Sequence, residues 1–282
     1  MTFTPSSEQA EFFATLANLS GPSISLRACA GAGKSTTIEH SLTYLPKRMQ
    51  NGLPPSIAVF AFSKDIVISM KARMGERAEV KTIHACGKHA LESFGIVPRG
   101  RKPDAWKCSN ILRELLPSDD EDFSTLTKLI SLGKSQPTRT PDWPTLCALH
   151  ELDFLLGETT ACVLAQRVLD LSFTDRSCID FDDMLWLPCV LNLHLTQYDY
   201  IFVDEAQDLN DVQVEMLARM HKPTTRLVCV GDPHQAIYGF RGAGHGMMDI
   251  IAERFNMRQM PLSVSYRCPQ NVVKEAQKYL SK

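Results

Sequence analysis

Ile24-Ser25-Leu26-Arg27-Ala28-Cys29-Ala30-Gly31-Ala32-Gly33-Lys34-Ser35-Thr36 decides how the rest of the chain is read. An apolar run of strand length, Ile24 to Cys29, meets a glycine-rich turn, and a helical pattern continues to Tyr44. Gly33-Lys34-Ser35 completes the phosphate-binding pattern G-x-x-x-x-G-K-[ST], except that Ala28 stands where the pattern has its first glycine. Strand, glycine turn and helix in this order let consecutive N–H groups curl around an anion at the positive end of a helix. Glycine is needed where backbone approaches phosphate or takes positive φ, as expected at Gly31 and Gly33. The loop Ala30 to Thr36 is therefore the candidate triphosphate cradle. In it Lys34 would reach the β- and γ-phosphates and Ser35 would offer its hydroxyl to Mg²⁺.

Such a loop needs a carboxylate partner, and Tyr200-Ile201-Phe202-Val203-Asp204-Glu205 supplies one: an apolar strand ending in two acids. Asp204 is expected to hold Mg²⁺ and Glu205 to polarise an attacking water as general base. No Asn-Lys-x-Asp element for guanine occurs. A small-molecule kinase stays open from the loop alone.

Further strand-like runs are read at Ile57–Phe62, Val80–Ile83 and Arg226–Val230, with helices at Ser7–Leu19, Asp65–Met74, Ala85–Ser93 and Asp211–Met220. Repeated strand–helix units predict an α/β fold with a mainly parallel sheet covered on both faces. The texture changes near Gly95. Prolines, broken helical patterns and the acidic run Asp119-Asp120-Glu121-Asp122 mark residues 96–177 as a helical insertion. The acidic run is read as a solvated helix start or loop.

The length of 282 residues suits one or two domains. With 44% hydrophobic and 22% charged residues, a mainly disordered chain is excluded. No window approaches the ~18 consecutive apolar residues of a membrane span. Met1 to Ala10 lacks a secretory-signal layout. A net charge of -2 does not announce a nucleic-acid binder, though contacts depend on local patches rather than the sum. The 9 cysteines include no Cys-x-x-Cys pair, so reduced thiols in a cytoplasmic or nuclear compartment are expected, without zinc or iron–sulfur.

Asp204-Glu205-Ala206-Gln207-Asp208, taken with Gly231-Asp232-Pro233-His234-Gln235-Ala236-Ile237-Tyr238-Gly239-Phe240-Arg241-Gly242-Ala243, resembles the UvrD/Rep-like superfamily 1 DNA helicases. Ala61-Phe62-Ser63-Lys64, Thr82-Ile83-His84, the segment Asp180-Phe181-Asp182-Asp183-Met184-Leu185, and Leu262 with Tyr266-Arg267 agree with other motifs of that family. The resemblance implies a RecA-like P-loop NTPase domain over residues 1–95 and 178–260, a helical insertion over 96–177, and the start of a second motor domain at 261–282. It implies that Gln9 reads the adenine edge, Tyr266 stacks on adenine, Arg267 touches the γ-phosphate, and Gln235 senses that phosphate and couples it to DNA. It implies Mg·ATP as cofactor, single-stranded or tailed DNA as partner, and 3′-to-5′ movement.

On the DNA side, Phe62, Lys64, Thr82, His84, Tyr238, Phe240 and Arg241 are the expected contacts. A flat ring stacks on any base, at ~1–3 kcal/mol per base. Lys64, Lys71, Arg73 and Lys81 form a local basic stretch suited to phosphates, and Arg99, Arg101, Lys102 and Lys107 offer a further duplex contact. The family's motor closes ATP between two RecA-like domains, and no counterpart of the last arginine-bearing motif is read here; such an arginine is worth ~10³–10⁵ in rate. The chain alone is therefore expected to bind nucleotide, hydrolyse it weakly and not unwind processively. A separate C-terminal motor half or another protein is the implied partner. A non-catalytic ATP- or ssDNA-binding module stays open as the alternative, although an intact Glu205 argues against it.

Overall fold

A computed structural model describes residues 3–18, 20–235, 246–267 and 269. In chain order the elements are α1 (Ser7–Ala17), β1 (Ile24–Ala28), α2 (Lys34–Ser41), β2 (Ile57–Phe60), α3 (Lys64–Met74), β3 (Glu79–Lys81) and α4 (Ile83–Ser93). Four helices follow: α5 (Lys107–Arg113), α6 (Phe123–Lys134), α7 (Trp143–Leu149) and α8 (Glu158–Thr174). Then come α9 (Asp183–Val190), β4 (Tyr198–Val203), α10 (Asp211–Met220), β5 (His221–Gly231), α11 (Met247–Arg254) and β6 (Arg258–Leu262). Among the described residues no helix is long and apolar enough to cross a membrane.

Local chemistry starts these helices. The N–H of Gln9 donates to Ser6 Oγ while the N–H of Ser6 donates to Gln9 Oε1, a reciprocal cap for α1. Ser63 caps α3, Thr82 caps α4, and Asn210 with Gln213 repeats the reciprocal cap on α10.

All six strands run parallel in the order β3-β2-β4-β5-β1-β6. Successive side chains of a strand point to opposite faces, and both faces here are covered, so β2, β4 and the second half of β5, in the middle of the sheet, are mainly apolar. Ile201 and Val203 of β4 enter one core with α4, α9, α10 and α11; Tyr200 and Phe202 enter the other with α1, α2 and α3. This is the mainly parallel, doubly covered α/β sheet predicted from the repeated strand–helix units, and it fits the RecA-like domain that the resemblance implies. A third apolar core lies among α5, α6, α7, α8 and α9, around Leu129, Trp143, Val168 and Trp186. No strand occurs between residues 95 and 177.

Several sequence expectations shift. β6 carries no clear strand signal, because Arg258-Gln259-Met260-Pro261-Leu262 buries only Met260 and Leu262 and contains a proline. It is an edge strand, where proline is tolerated. It also runs two residues across the expected boundary at 260/261. The acidic run is not wholly solvated: Asp122 is buried, and its carboxylate accepts the N–H groups of Leu155 and Leu156 at 3.0 and 2.8 Å. A buried carboxylate holding two amides fixes a loop, which composition alone cannot reveal. Lys107 offers no surface contact either. It is buried and ion-paired with Asp183 at 2.7 Å.

Candidate nucleotide-binding site

The turn after β1 takes the conformation its glycines permit: Gly31 and Gly33 both have φ +75°. Gly33 stands at the N-terminus of α2 in the left-handed region, which an L side chain enters at a cost of about 1–2 kcal/mol. Gly31 has a second reason to lack a side chain, since a Cβ there would lie 2.5 Å from Arg267 Cβ. Ala30 and Ala32 flank it, and Thr36 is half-buried in the first turn of α2. The Ala30 carbonyl accepts Ser265 Oγ at 2.7 Å and the Gly31 carbonyl accepts the Tyr266 N–H at 2.9 Å. The segment bearing Tyr266 and Arg267 thus lies on the phosphate-type turn, with the Tyr266 ring largely exposed.

The carboxylates arrive from β4. Lys34 Nζ and Glu205 Oε2 are 2.6 Å apart although 171 residues separate them, and Ser35 Oγ donates to Asp204 Oδ2 at 3.0 Å. Glu205 has φ +53°, an uncommon backbone for a non-glycine residue, which turns its side chain from that of Asp204. Burial, with Glu205 adding to it, pushes the Asp204 carboxyl up to about 6; Asp208 is raised to about 6 by the same two causes, and Lys34 opposes both. Oδ1 of Asp208 is buried without a hydrogen-bond partner.

β5 lies between the acid-bearing β4 and the turn-bearing β1, so it delivers a third group to the same end of the sheet. Gln207 makes the connection. Its Nε2 donates to Glu205 Oε2 at 2.9 Å and its Oε1 accepts the Asp232 N–H at 3.0 Å. Gln235 Nε2 donates to Asp232 Oδ2 at 2.8 Å. Gln235 reaches the Lys34–Glu205 pair through Gln207 and Asp232. Gly231 makes room for this relay, because a Cβ there would meet Gln207 Oε1 at 2.4 Å. Sequence reasoning assigns Gln207 no role of its own; its place two residues after Glu205 is the available signal.

Gln9 is buried and donates from Nε2 to Thr37 Oγ1 at 2.8 Å, close behind Gly33. Its carbonyl is engaged in the α1 cap. Phe62, Thr82 and His84 line one narrow cleft of about 10 Å³ together with Asp204, Leu209 and Gln213. Three expected DNA contacts therefore stand beside the acid end of β4. Lys64 is exposed at the start of α3. Arg73 and Lys81 of the basic stretch pair with Glu39 and Glu79. Tyr238, Phe240 and Arg241 lie outside the described residues. A cavity of about 620 Å³ opens elsewhere, by His221 and Arg226, and contains none of these groups.

The donors available for a divalent ion are hard oxygens, the Ser35 hydroxyl and the Asp204 carboxylate, already side by side. This donor set fits Mg²⁺, which takes oxygen ligands and keeps several waters. Lys34, with the N–H groups of the turn, fits an anionic phosphate.

Comparison with known proteins identifies the family. The model of the UvrD/REP helicase N-terminal domain matches residues 9–256. The ATP-dependent DNA helicase Rep of Escherichia coli (strain K12) is 26% identical, over 98% of this chain and 43% of its own length. The ATP-dependent DNA helicase PcrA of Leuconostoc citreum is 25% identical, over 89% of this chain and 36% of its own. The PcrA of Staphylococcus epidermidis (strain ATCC 12228 / FDA PCI 1200) is 26% identical, over 96% and 39%. The chain thus spans well under half the length of these relatives. With the family model covering most of its residues, the chain belongs to the UvrD/REP helicase N-terminal domain family.

Proposed function

We propose that the chain is the ATP- and single-strand-binding half of a DNA translocase or helicase of the UvrD/Rep type, moving 3′ to 5′ when complete. Residues 1–95 and 178–262 act as the motor domain, with β6 as its last strand, 96–177 act as the helical insertion, and the second motor domain begins after β6. The observation that carries this reading is the meeting of Lys34 and Ser35 with Glu205 and Asp204 at the carboxyl ends of the inner strands β1 and β4, beside the cleft of Phe62, Thr82 and His84.

In this reading Lys34 leaves Glu205 to meet the terminal phosphates, which frees the Glu205 carboxylate to accept a proton from the attacking water. Ser35 and Asp204 would hold Mg²⁺, which when bound would neutralise phosphate charge. Gln9 and Tyr266 bound the base, and Arg267 and Gln235 address the γ-phosphate. Gln235 is tied to Glu205 through Asp232 and Gln207, so a change at the phosphate alters the chain that leads towards residues 236–241, where Tyr238, Phe240 and Arg241 are the proposed strand contacts. Lys64, Thr82 and His84 add phosphate and base contacts. The reading goes with a cytoplasmic or nucleoid setting.

The test is ATP turnover with and without single-stranded DNA, together with the salt dependence of oligo(dT) binding. DNA-stimulated turnover, even if slow, and affinity that falls with salt support the reading. Nucleotide and oligo(dT) binding with no turnover would identify a non-catalytic module that works with a partner. Absence of oligo(dT) affinity defeats the DNA reading.

A further inference from the structure

Two lysines lie buried in the third core, far from the phosphate turn in sequence. Lys134, at the end of α6, is 1% exposed, and Lys107, at the start of α5, is 2% exposed. Lys134 Nζ donates to Ser172 Oγ at 2.9 Å, Asp180 Oδ2 at 2.6 Å and Asp183 Oδ1 at 2.7 Å. An ammonium has three protons, and all three are used. Lys107 Nζ donates to the Ser172 carbonyl at 2.8 Å and to Asp183 Oδ2 at 2.7 Å. Asp180 and Asp183 meet the lysines directly, and a third carboxylate, Asp182, lies beside them and accepts Ser131 Oγ at 2.7 Å. The directional bonds of the lysines fasten α5, α6, α8 and α9 in one relative arrangement. Apolar side chains of the same volume would often give equal stability, so what the ion cluster adds is fixed geometry.

From this cluster two connections lead to residues that line the cleft. One leaves from the end of α6. The Ser135 carbonyl accepts the Val212 N–H at 2.9 Å and Gln136 Nε2 donates to Asp211 Oδ2 at 2.8 Å, which ties α6 to the first turn of α10. That turn directly follows the acid loop Asp204–Asp208, and its Gln213 lines the cleft. The other leaves through Asp183, which opens α9. The next residue, Met184, presses its carbonyl on α4 at Gly87, where a Cβ would lie 1.7 Å away. α4 begins at the Thr82 cap and carries His84.

We propose that the cluster of Lys107, Lys134, Asp180 and Asp183 is the joint through which the helices α5–α8 set the residues that line the cleft, so that nucleotide at Lys34 and a strand at Phe62, Thr82 and His84 are coupled through it. Lys134 is a positioning residue in this scheme and touches neither ligand. The inference rests on the proposed assignment of those two ligands.

The test uses the full chain and the charge-balanced double variant Lys134→Met/Asp180→Asn, in which the asparagine Oδ1 keeps its bond from the Asp183 N–H. Oligo(dT) affinity is measured with and without a saturating non-hydrolysable Mg·ATP analogue. The parent chain is expected to change its oligo(dT) affinity about fivefold or more when the analogue is present, within the usual range of linkage. The variant is expected to melt within a few degrees of the parent and to keep each separate affinity within about threefold, but to lose the mutual effect. The Val212 amide should exchange with solvent about tenfold faster in the variant, without a matching loss of global stability. A folded variant with the parental mutual effect overturns the joint, as does a parent that binds both ligands independently. If the parent binds neither ligand, the proposed function fails; unchanged Val212 exchange in the variant then overturns the joint on its own. Should the double variant not fold, Ser172→Ala, which removes one of the three acceptors of Lys134, is measured in the same way: loss of the mutual effect supports the joint, and its survival overturns it.

Discussion

Replacing Lys34 by methionine should destabilise the ligand-free fold more at pH 8 than at pH 5. The Lys34–Glu205 contact is a charge-assisted hydrogen bond at 2.6 Å, a class worth about 1.5–3 kcal/mol. The Glu205 side chain is 29% exposed, so water screens the pair and about 1.5 kcal/mol is the reasonable share. Lys34 also holds down two neighbours. Asp204 and Asp208 sit at about 6 even with Lys34 opposing their rise. Without it each should climb further, at about 0.7 kcal/mol apiece. An acid whose folded value lies above its unfolded value contributes stability at low pH and loses it as pH rises through the folded value. The extra loss in the variant therefore accumulates above pH 6 and is nearly absent at pH 5, where both carboxyls are already mostly protonated. The expected deficit is about 3 kcal/mol at pH 8 and about half that at pH 5, or roughly 6–12 °C against 3–6 °C in melting temperature. Thermal melts of parent and variant without nucleotide or Mg²⁺, between pH 5 and 8, give the difference directly. A deficit that is equal at both ends, or larger at pH 5, refutes the idea that Lys34 offsets an acid cluster.

Three further outcomes are expected. Affinity for Mg·nucleotide should be level above about pH 7 and weaken by up to about tenfold per pH unit below 6, because a proton on Asp204 competes with the cation; calorimetric titration across that range reads it. Gly87→Ala should fail to yield soluble folded protein, or lose more than about 4 kcal/mol in denaturant, because the rigid Met184 carbonyl stands where the methyl would go. Asp122→Ala should cost about 2–4 kcal/mol in a urea melt, since two backbone donors, Leu155 and Leu156, lose their acceptor.

Much of this protein is legible in its sequence because the signals are local. The turn Ala30–Thr36 and the acid pair at the end of an apolar strand are each written within a few residues. The β6 edge strand is not legible, since an edge strand with a proline and two inward side chains lacks the apolar density of its neighbours. Nor is the fate of Lys107 and the Asp180–Asp183 segment. Charged residues in sequence read as surface, and only the packing of α5, α6, α8 and α9 shows them closed into a buried ion cluster.

The sequence by itself determined the α/β class and the chemistry of the phosphate turn, because glycine geometry and apolar periodicity act over short range. The tertiary structure alone decided that Gln207 joins Glu205 to the end of β5, that Thr82, His84 and Phe62 share a cleft with Asp204, and that two buried lysines hold the helices beside it. Those contacts join residues far apart in the chain, and which distant groups meet is set by how strands order in the sheet and helices stack on it.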